Sequence, residues 1–249
     1  MNFRNYLDKL KRYFWFSKEE WLAFLVTVFG LAFIYSWDQW GGIRFDLIAG
    51  FKNYSIATIF LFITVFVHHA GQRMMALQLG LRAEQRLWWY GFLIGLIVVI
   101  ISNGSIKFLA ATSTIAYMLP AHRLGAFRYG PNISTIAKIV MAGPLLNIFF
   151  SAFVKSLEWA GMLNPYIAQQ LFVLNLIYAG WNLIPVPPLD GSKIFYYSRL
   201  TYAFLFGSIA SYVIMVYFFN IYSYIYSLLI GGIAWLLFYI FFEKKIRGF

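Results

Sequence analysis

Asn182-Leu183-Ile184-Pro185-Val186-Pro187-Pro188-Leu189-Asp190-Gly191 closes an apolar run over residues 166–184 and carries three prolines in four positions. Proline has no backbone N–H and biases the residue before it away from the helical region. The run therefore ends here, and an extended segment presents the Asp190 carboxylate from a rigid turn. Unwound backbone is tolerated at membrane depth only inside protein or beside a water-filled cavity. The composition says that membrane depth is the relevant setting: 61% of the 249 residues are apolar, 12% are charged, and the mean hydropathy is +0.69. Too few polar side chains exist to cover a soluble globule of 28.9 kDa, so the chain belongs in a lipid bilayer.

Working outward from that stretch, apolar runs occur at 21–37, 55–79, 88–102, 106–120, 134–157, 166–184, 202–219 and 222–242. A spanning helix needs about 20 residues. The runs 88–102 and 106–120 are too short and meet at Asn103-Gly104, which predicts a tight or re-entrant hairpin. The expected fold is an all-α, polytopic helical membrane protein with about six full spans plus that hairpin. Residues 1–20 form a cytoplasmic or interfacial lead-in, 21–242 the transmembrane domain, and 243–249 a cytoplasmic tail.

The net charge of +11 is spread between apolar runs and forms no stripe, which argues against nucleic acid and makes the charges reporters of topology. With both termini cytoplasmic, sixteen of the twenty Lys and Arg residues fall inside, leaving only Arg44, Lys52, Lys107 and Lys155 outside. This predicts a multi-pass protein of the plasma membrane. The exit of the first run, Tyr35-Ser36-Trp37-Asp38, has no small-residue cleavage site, so the run is expected as an uncleaved anchor. Ahead of it, Phe3, Tyr6, Leu7, Leu10 and Phe14 beside Lys9, Lys11 and Arg12 fit either a helix on the inner leaflet or a solvated basic lead-in. The absence of cysteine excludes disulfides, iron–sulfur clusters, thiolate zinc sites and a cysteine nucleophile.

An ionisable side chain inside an apolar run costs a few kcal/mol unless it is paired or faces water, so the few present are informative. The second run reads Val67-His68-His69-Ala70-Gly71-Gln72-Arg73-Met74-Met75-Ala76-Leu77-Gln78-Leu79-Gly80. At about 100° per residue, His68 and Gln72 share a helical face while His69 is turned about 100° away. Arg73 is expected to reach the cytoplasmic phosphates or to lean on Asp190. Lys155 is expected to snorkel to the outer interface, and His122 to be a solvated interfacial residue. Gly91 and Gly95 form a small-xxx-small pair suited to close approach by a neighbour.

These motifs resemble the site-2 protease family, the intramembrane zinc metalloproteases also called M50 peptidases. Asn182, Pro185, Pro187, Leu189, Asp190 and Gly191 meet the family's Asn-x-x-Pro-x-Pro-x-Leu-Asp-Gly motif. His68, Ala76 and Gly80 keep the register of its His-Glu-x-x-His segment, Gly71 fits a His-Glu-Leu-Gly-His variant, and Ala142-Gly143-Pro144-Leu145-Leu146-Asn147 resembles its Ala-Gly-Pro-x-x-Asn segment. The resemblance covers about residues 55–200 and implies a site-2-protease-like core, with a pocket formed by Asn147, Asn182, Pro185, Pro187 and Gly191. In active members two histidines and the aspartate hold zinc, and the glutamate is the general base. Here His69 stands at the base position and Gln72 at the second histidine. The resemblance leaves His68 and Asp190 as metal-ligand positions, Gln72 as a poor third, and no assigned catalytic residue.

His68 and Asp190 are thus either a surviving metal pair or a metal-free hydrogen-bonded knot with Gln72 and Asn182. The leading expectation is a catalytically impaired pseudoprotease that binds transmembrane helices of a client or partner protein within the bilayer, with no tightly bound cofactor. The alternatives are an active intramembrane metalloprotease using Zn²⁺ and a third ligand from His69 or Gln72, and a structural subunit of a membrane complex.

Overall fold

The computed structural model of the protein describes residues 3–41, 44–119, 131–219 and 221–244; His122 and the tail from 245 onward lie outside the described residues. The elements run α1 (Phe3–Tyr13), α2 (Lys18–Tyr35), α3 (Leu47–Gln78), β1 (Leu81–Leu87), α4 (Trp89–Ile101), β2 (Thr112–Met118), α5 (Ile133–Trp159), α6 (Pro165–Asn182), α7 (Asp190–Tyr197), α8 (Arg199–Phe219) and α9 (Tyr224–Phe238, extended by a π turn over Tyr239–Glu243). Their starts follow local chemistry. Ser17 and Glu20 close a reciprocal capping box on α2, Asp46 caps α3, Asn132 caps α5, and Asn164 caps α6 ahead of Pro165.

Four stretches among the described residues are long and apolar enough to cross a membrane: Leu47–Gln78, Ile133–Trp159, Arg199–Phe219 and Tyr224–Glu243. This is a multi-pass helical membrane protein. The other two expected spans, α2 and α6, are helices of 18 residues that fall short of that standard. Lys18, Glu19 and Glu20 occupy the first turn of α2, and α6 carries Gln169, Gln170, Asn175 and Asn182. Polarity of this kind is at home inside a bundle. On α6, Asn175 and Asn182 are both buried.

The 88–120 region turns back on itself with two unlike arms. The outgoing arm is the 13-residue helix α4. Asn103 and Gly104, both at positive φ, make the turn, and the returning arm is extended, ending in β2. That strand pairs antiparallel with β1 from Leu81 opposite Met118 to Leu87 opposite Thr112. This two-stranded sheet is an addition to the helical frame that the periodicity reading did not anticipate. Phe108, Leu109, Ala110 and Ala111 of the returning arm are buried, as non-helical backbone in a membrane protein requires. Gly91 and Gly95 are where this arm crosses α4: a side chain at either would meet the Ala110 or Phe108 carbonyl. The neighbour admitted by the small-xxx-small pair is thus the hairpin's own second half.

The glycine and alanine of the first motif also acquire structural roles. Gly80 has φ +80° and ends α3 so that β1 can begin. Ala76 is fully buried with Leu81, Ala83 and Ile139 beneath the sheet. The central packing group is α3, α5 and α6. Against it lie α2, α7 and α8, while α4 packs on α2 and α9 on α8.

Candidate functional site

The site is assembled where α3, α5, β2 and the first turn of α7 meet. On α3, His68 and Gln72 are one turn apart and both buried. Close approach of α5 depends on Gly143: a methyl group there would stand 2.6 Å from His68 Nε2 and 2.9 Å from Gln72 Nε2. The proline segment then folds back after α6. Its carbonyl at Leu183 lies against Gly191, leaving no space for a side chain, and Asp190 becomes the first residue of α7. The prolines do end the helix, as the sequence implies, but a short helix restarts at the carboxylate itself.

The structure brings together residues 118 to 122 positions apart. His68 Nε2 lies 2.9 Å from Asp190 Oδ2. Gln72 Nε2 donates to the same Asp190 oxygen at 2.6 Å and lies 3.2 Å from His68 Nε2. The other end of the amide is held as firmly. Gln72 Oε1 accepts from Thr114 Oγ1 at 2.5 Å and lies 3.1 Å from His69 Nδ1. Tyr178 stacks edge-on against His68, with ring centroids 5.1 Å apart. Lys193 brings a cation close: its Nζ donates to the Thr114 carbonyl at 2.7 Å. Burial pushes the Lys193 ammonium down from its ordinary range, and the Asp190 carboxylate pulls it part of the way back.

Whether these residues fit a zinc ion follows from the donors. Tetrahedral zinc needs three protein ligands carrying lone pairs plus an open position. His68 and Asp190 supply two. The third corner is filled by an amide nitrogen, which is a donor with no lone pair to offer a cation. Among the described residues no group of three His, Cys, Asp or Glu side chains is placed to hold a metal. The donor set does not fit zinc in this arrangement. What it does instead is satisfy Asp190, because two hydrogen-bonding partners converge on one buried carboxylate oxygen.

The remaining sequence candidates fall around this knot. Asn182 bonds back to the Tyr178 carbonyl at 2.9 Å and does not reach Asp190 or His68. Asn147 is fully buried on α5, one turn beyond Gly143, and both of its amide atoms lack a hydrogen-bond partner among the described residues, as do His68 Nδ1 and His69 Nε2. Pro185 and Pro187 belong to the turn that positions Asp190.

One reading of a basic residue is corrected. Arg73 reaches neither the bilayer phosphates nor Asp190. It is buried in an ion pair with Glu20, donates to the carbonyls of Phe14 and Trp15 at 2.9 and 3.0 Å, and lies 4.1 Å over the Phe16 ring. The reason is that Glu20, the capping-box residue of α2, is itself buried beside α3 and requires a cation. Lys155, near the end of α5, pairs with Glu158 at 2.7 Å and leans over Tyr222.

Thr114 and Lys193 were not legible as site residues. The signal for Thr114 was a period-two pattern, with Thr112 and Thr114 buried and Ser113 between them less so, hidden at the end of an apolar run.

Over 196 residues, covering 76% of this chain and 90% of the relative, the sequence is 27% identical to "Putative zinc metalloprotease MJ0611" of Methanocaldococcus jannaschii. The likeness spans most of both chains. No family profile matches the chain, and no solved structure matches it.

Proposed function

We propose that this chain is a site-2-protease-like membrane protein that has given up hydrolysis, a pseudoprotease that binds transmembrane helices without cutting them. The observation that carries this reading is the position of Gln72 Nε2, a hydrogen-bond donor beside both His68 Nε2 and Asp190 Oδ2, at the third corner of a triangle with them. The likeness to a protein named as a zinc metalloprotease supports the ancestry, and the apolar helices support a membrane setting. The base position supports the loss. His69 stands there with its Nδ1 committed to Gln72, and a general base is worth about 10²- to 10⁴-fold in rate. The charge distribution supports placing both termini in the cytoplasm, with the plasma membrane as the host bilayer.

The relative's name favours one competing reading. A half-turn of the Gln72 amide would exchange its ends and offer an oxygen beside His68 and Asp190, giving a weak three-donor zinc site. Elemental analysis and a cleavage assay separate the two. The purified protein is expected to hold well under one zinc per chain and to leave transmembrane substrates uncut. His69→Glu with Gln72→His rebuilds the missing donors in the existing register and is expected to take up zinc. One stoichiometric zinc in the parent, lost in His68→Ala and accompanied by cleavage, would overturn the pseudoprotease reading in favour of the enzyme.

A further inference from the structure

A buried polar layer lies one helical turn from the His68–Asp190 knot, towards the N-terminal end of α3. Its place follows from the register of two helices. Gly143 of α5 stands against His68 and Gln72 of α3, and Ile139, one turn earlier on α5, shares a cluster with Ala76, one turn later on α3. The two helices are therefore antiparallel, and the same offset sets Asn147 of α5 against Thr64 and His68. A third helix completes the layer. Asn175 of α6 donates to Thr64 Oγ1 at 3.2 Å and to the Leu171 carbonyl at 2.8 Å. Asn147 is close to the midpoint of the 27-residue α5, one of the helices long and apolar enough to cross a bilayer, so the layer lies near mid-membrane.

Thr64, His68, Asn147 and Asn175 are all fully buried. Four polar atoms among them have no hydrogen-bond partner among the described residues: both ends of the Asn147 amide, Asn175 Oδ1 and His68 Nδ1. Each such group carries a desolvation cost, and four together rival the net stability of a whole domain. Whatever satisfies them must both donate and accept, because two amide oxygens call for donors and the Asn147 NH₂ calls for an acceptor. A metal cation meets the NH₂ badly and finds no carboxylate among Thr64, Asn147 and Asn175, while an anion meets the two oxygens badly. Water has both characters, and it suits His68 Nδ1 in either tautomer.

We propose that Thr64, Asn147 and Asn175 form a binding site for ordered water at mid-bilayer depth, and that this water bonds His68 Nδ1 and holds the ring whose other nitrogen faces Asp190. Asn147 is then a positioning residue for His68. It acts through the water, since its own amide makes no bond to the ring. Such water serves a chain that cuts and one that only binds alike, so the site stands apart from the pseudoprotease reading.

Solid-state NMR of the full chain in phospholipid vesicles tests the site, with isotope-labelled asparagine and histidine and with water itself as the probe. Magnetisation from water protons should reach the side-chain amides of Asn147 and Asn175, although both are fully buried. Asn147→Leu, similar in size but apolar, should lose the water contact at Asn175 and shift the His68 Nδ1 resonance. Asn147→Ser, which keeps a donor and an acceptor and leaves room for a further water, should restore both in part. Absence of water transfer to Asn147 in the parent would overturn the proposal with no variant needed, so a misfolded substitution cannot mask the answer. A folded Asn147→Leu with a raised melting temperature and an unshifted His68 Nδ1 resonance would also overturn it, since removing a dry, unpaired amide stabilises a core.

Discussion

A single hydrogen atom decides how close α5 comes to α3. At Gly143 any side chain would press on both His68 and Gln72, and neither can yield without losing its bond to Asp190. Gly143→Ala is therefore expected to destabilise the protein by about 1–3 kcal/mol, the usual cost of overpacking a filled core, and to disturb the knot first. Thermal unfolding in detergent measures the loss, and histidine NMR signals report whether His68 has moved. An unchanged melting temperature and unchanged His68 resonances would show that the helices have slack here. Residue-scale legibility was uneven for a physical reason. His68 and Asp190 could be matched from motif register although 122 positions separate them. The use of Gln72 as a donor could not, because an amide offers both an oxygen and an NH₂ and only its neighbours, Thr114 and Asp190, decide which end points where.

Among elements, the N-terminal segment is the one whose role changes most between sequence and structure. It reads as a basic amphipathic lead-in. In the fold, Tyr6 of α1 bonds to the Met74 carbonyl at 3.3 Å, and the carbonyls of Phe14 and Trp15 bind Arg73. Glu20 joins three elements at once, pairing with Arg73 of α3 and Arg82 of β1 and accepting the Gln85 backbone N–H at 3.3 Å. Removing Arg73 leaves the buried Glu20 carboxylate with only the longer contact to Arg82 at 3.4 Å as a cationic partner, so Arg73→Met should cost about 3 kcal/mol. Adding Glu20→Gln should recover much of that loss. A double-mutant cycle by thermal unfolding checks it, and strictly additive losses would mean that the pair is not coupled. The helix starts at Ser17, Asp46, Asn132 and Asn164 are local chemistry, each side chain capping the backbone within three residues. The sheet was not legible in the sequence, because β1 and β2 are short, 24 residues apart in sequence between their facing ends, and defined by pairing that no single segment reveals.

At the scale of the molecule, the absence of cysteine makes orientation directly measurable, since any introduced thiol is unique. With the termini inside, a single cysteine replacing Lys9 should react with a membrane-impermeant maleimide only after the membrane is opened. One replacing Lys107, which pairs with Asp38 at the other end of α2, should react in intact cells. The reverse pattern would invert the topology we propose. The fold also has a sequence in time. Thr114, His69 and Gln72 are all made early, whereas Asp190 follows Thr114 by 76 residues of synthesis, about 4–15 s at 5–20 residues per second. Both ends of the bond from the strand hydroxyl to the amide thus precede the carboxylate in synthesis. Asp190, the carboxylate on which His68 and Gln72 converge, is the last of these partners to be synthesised.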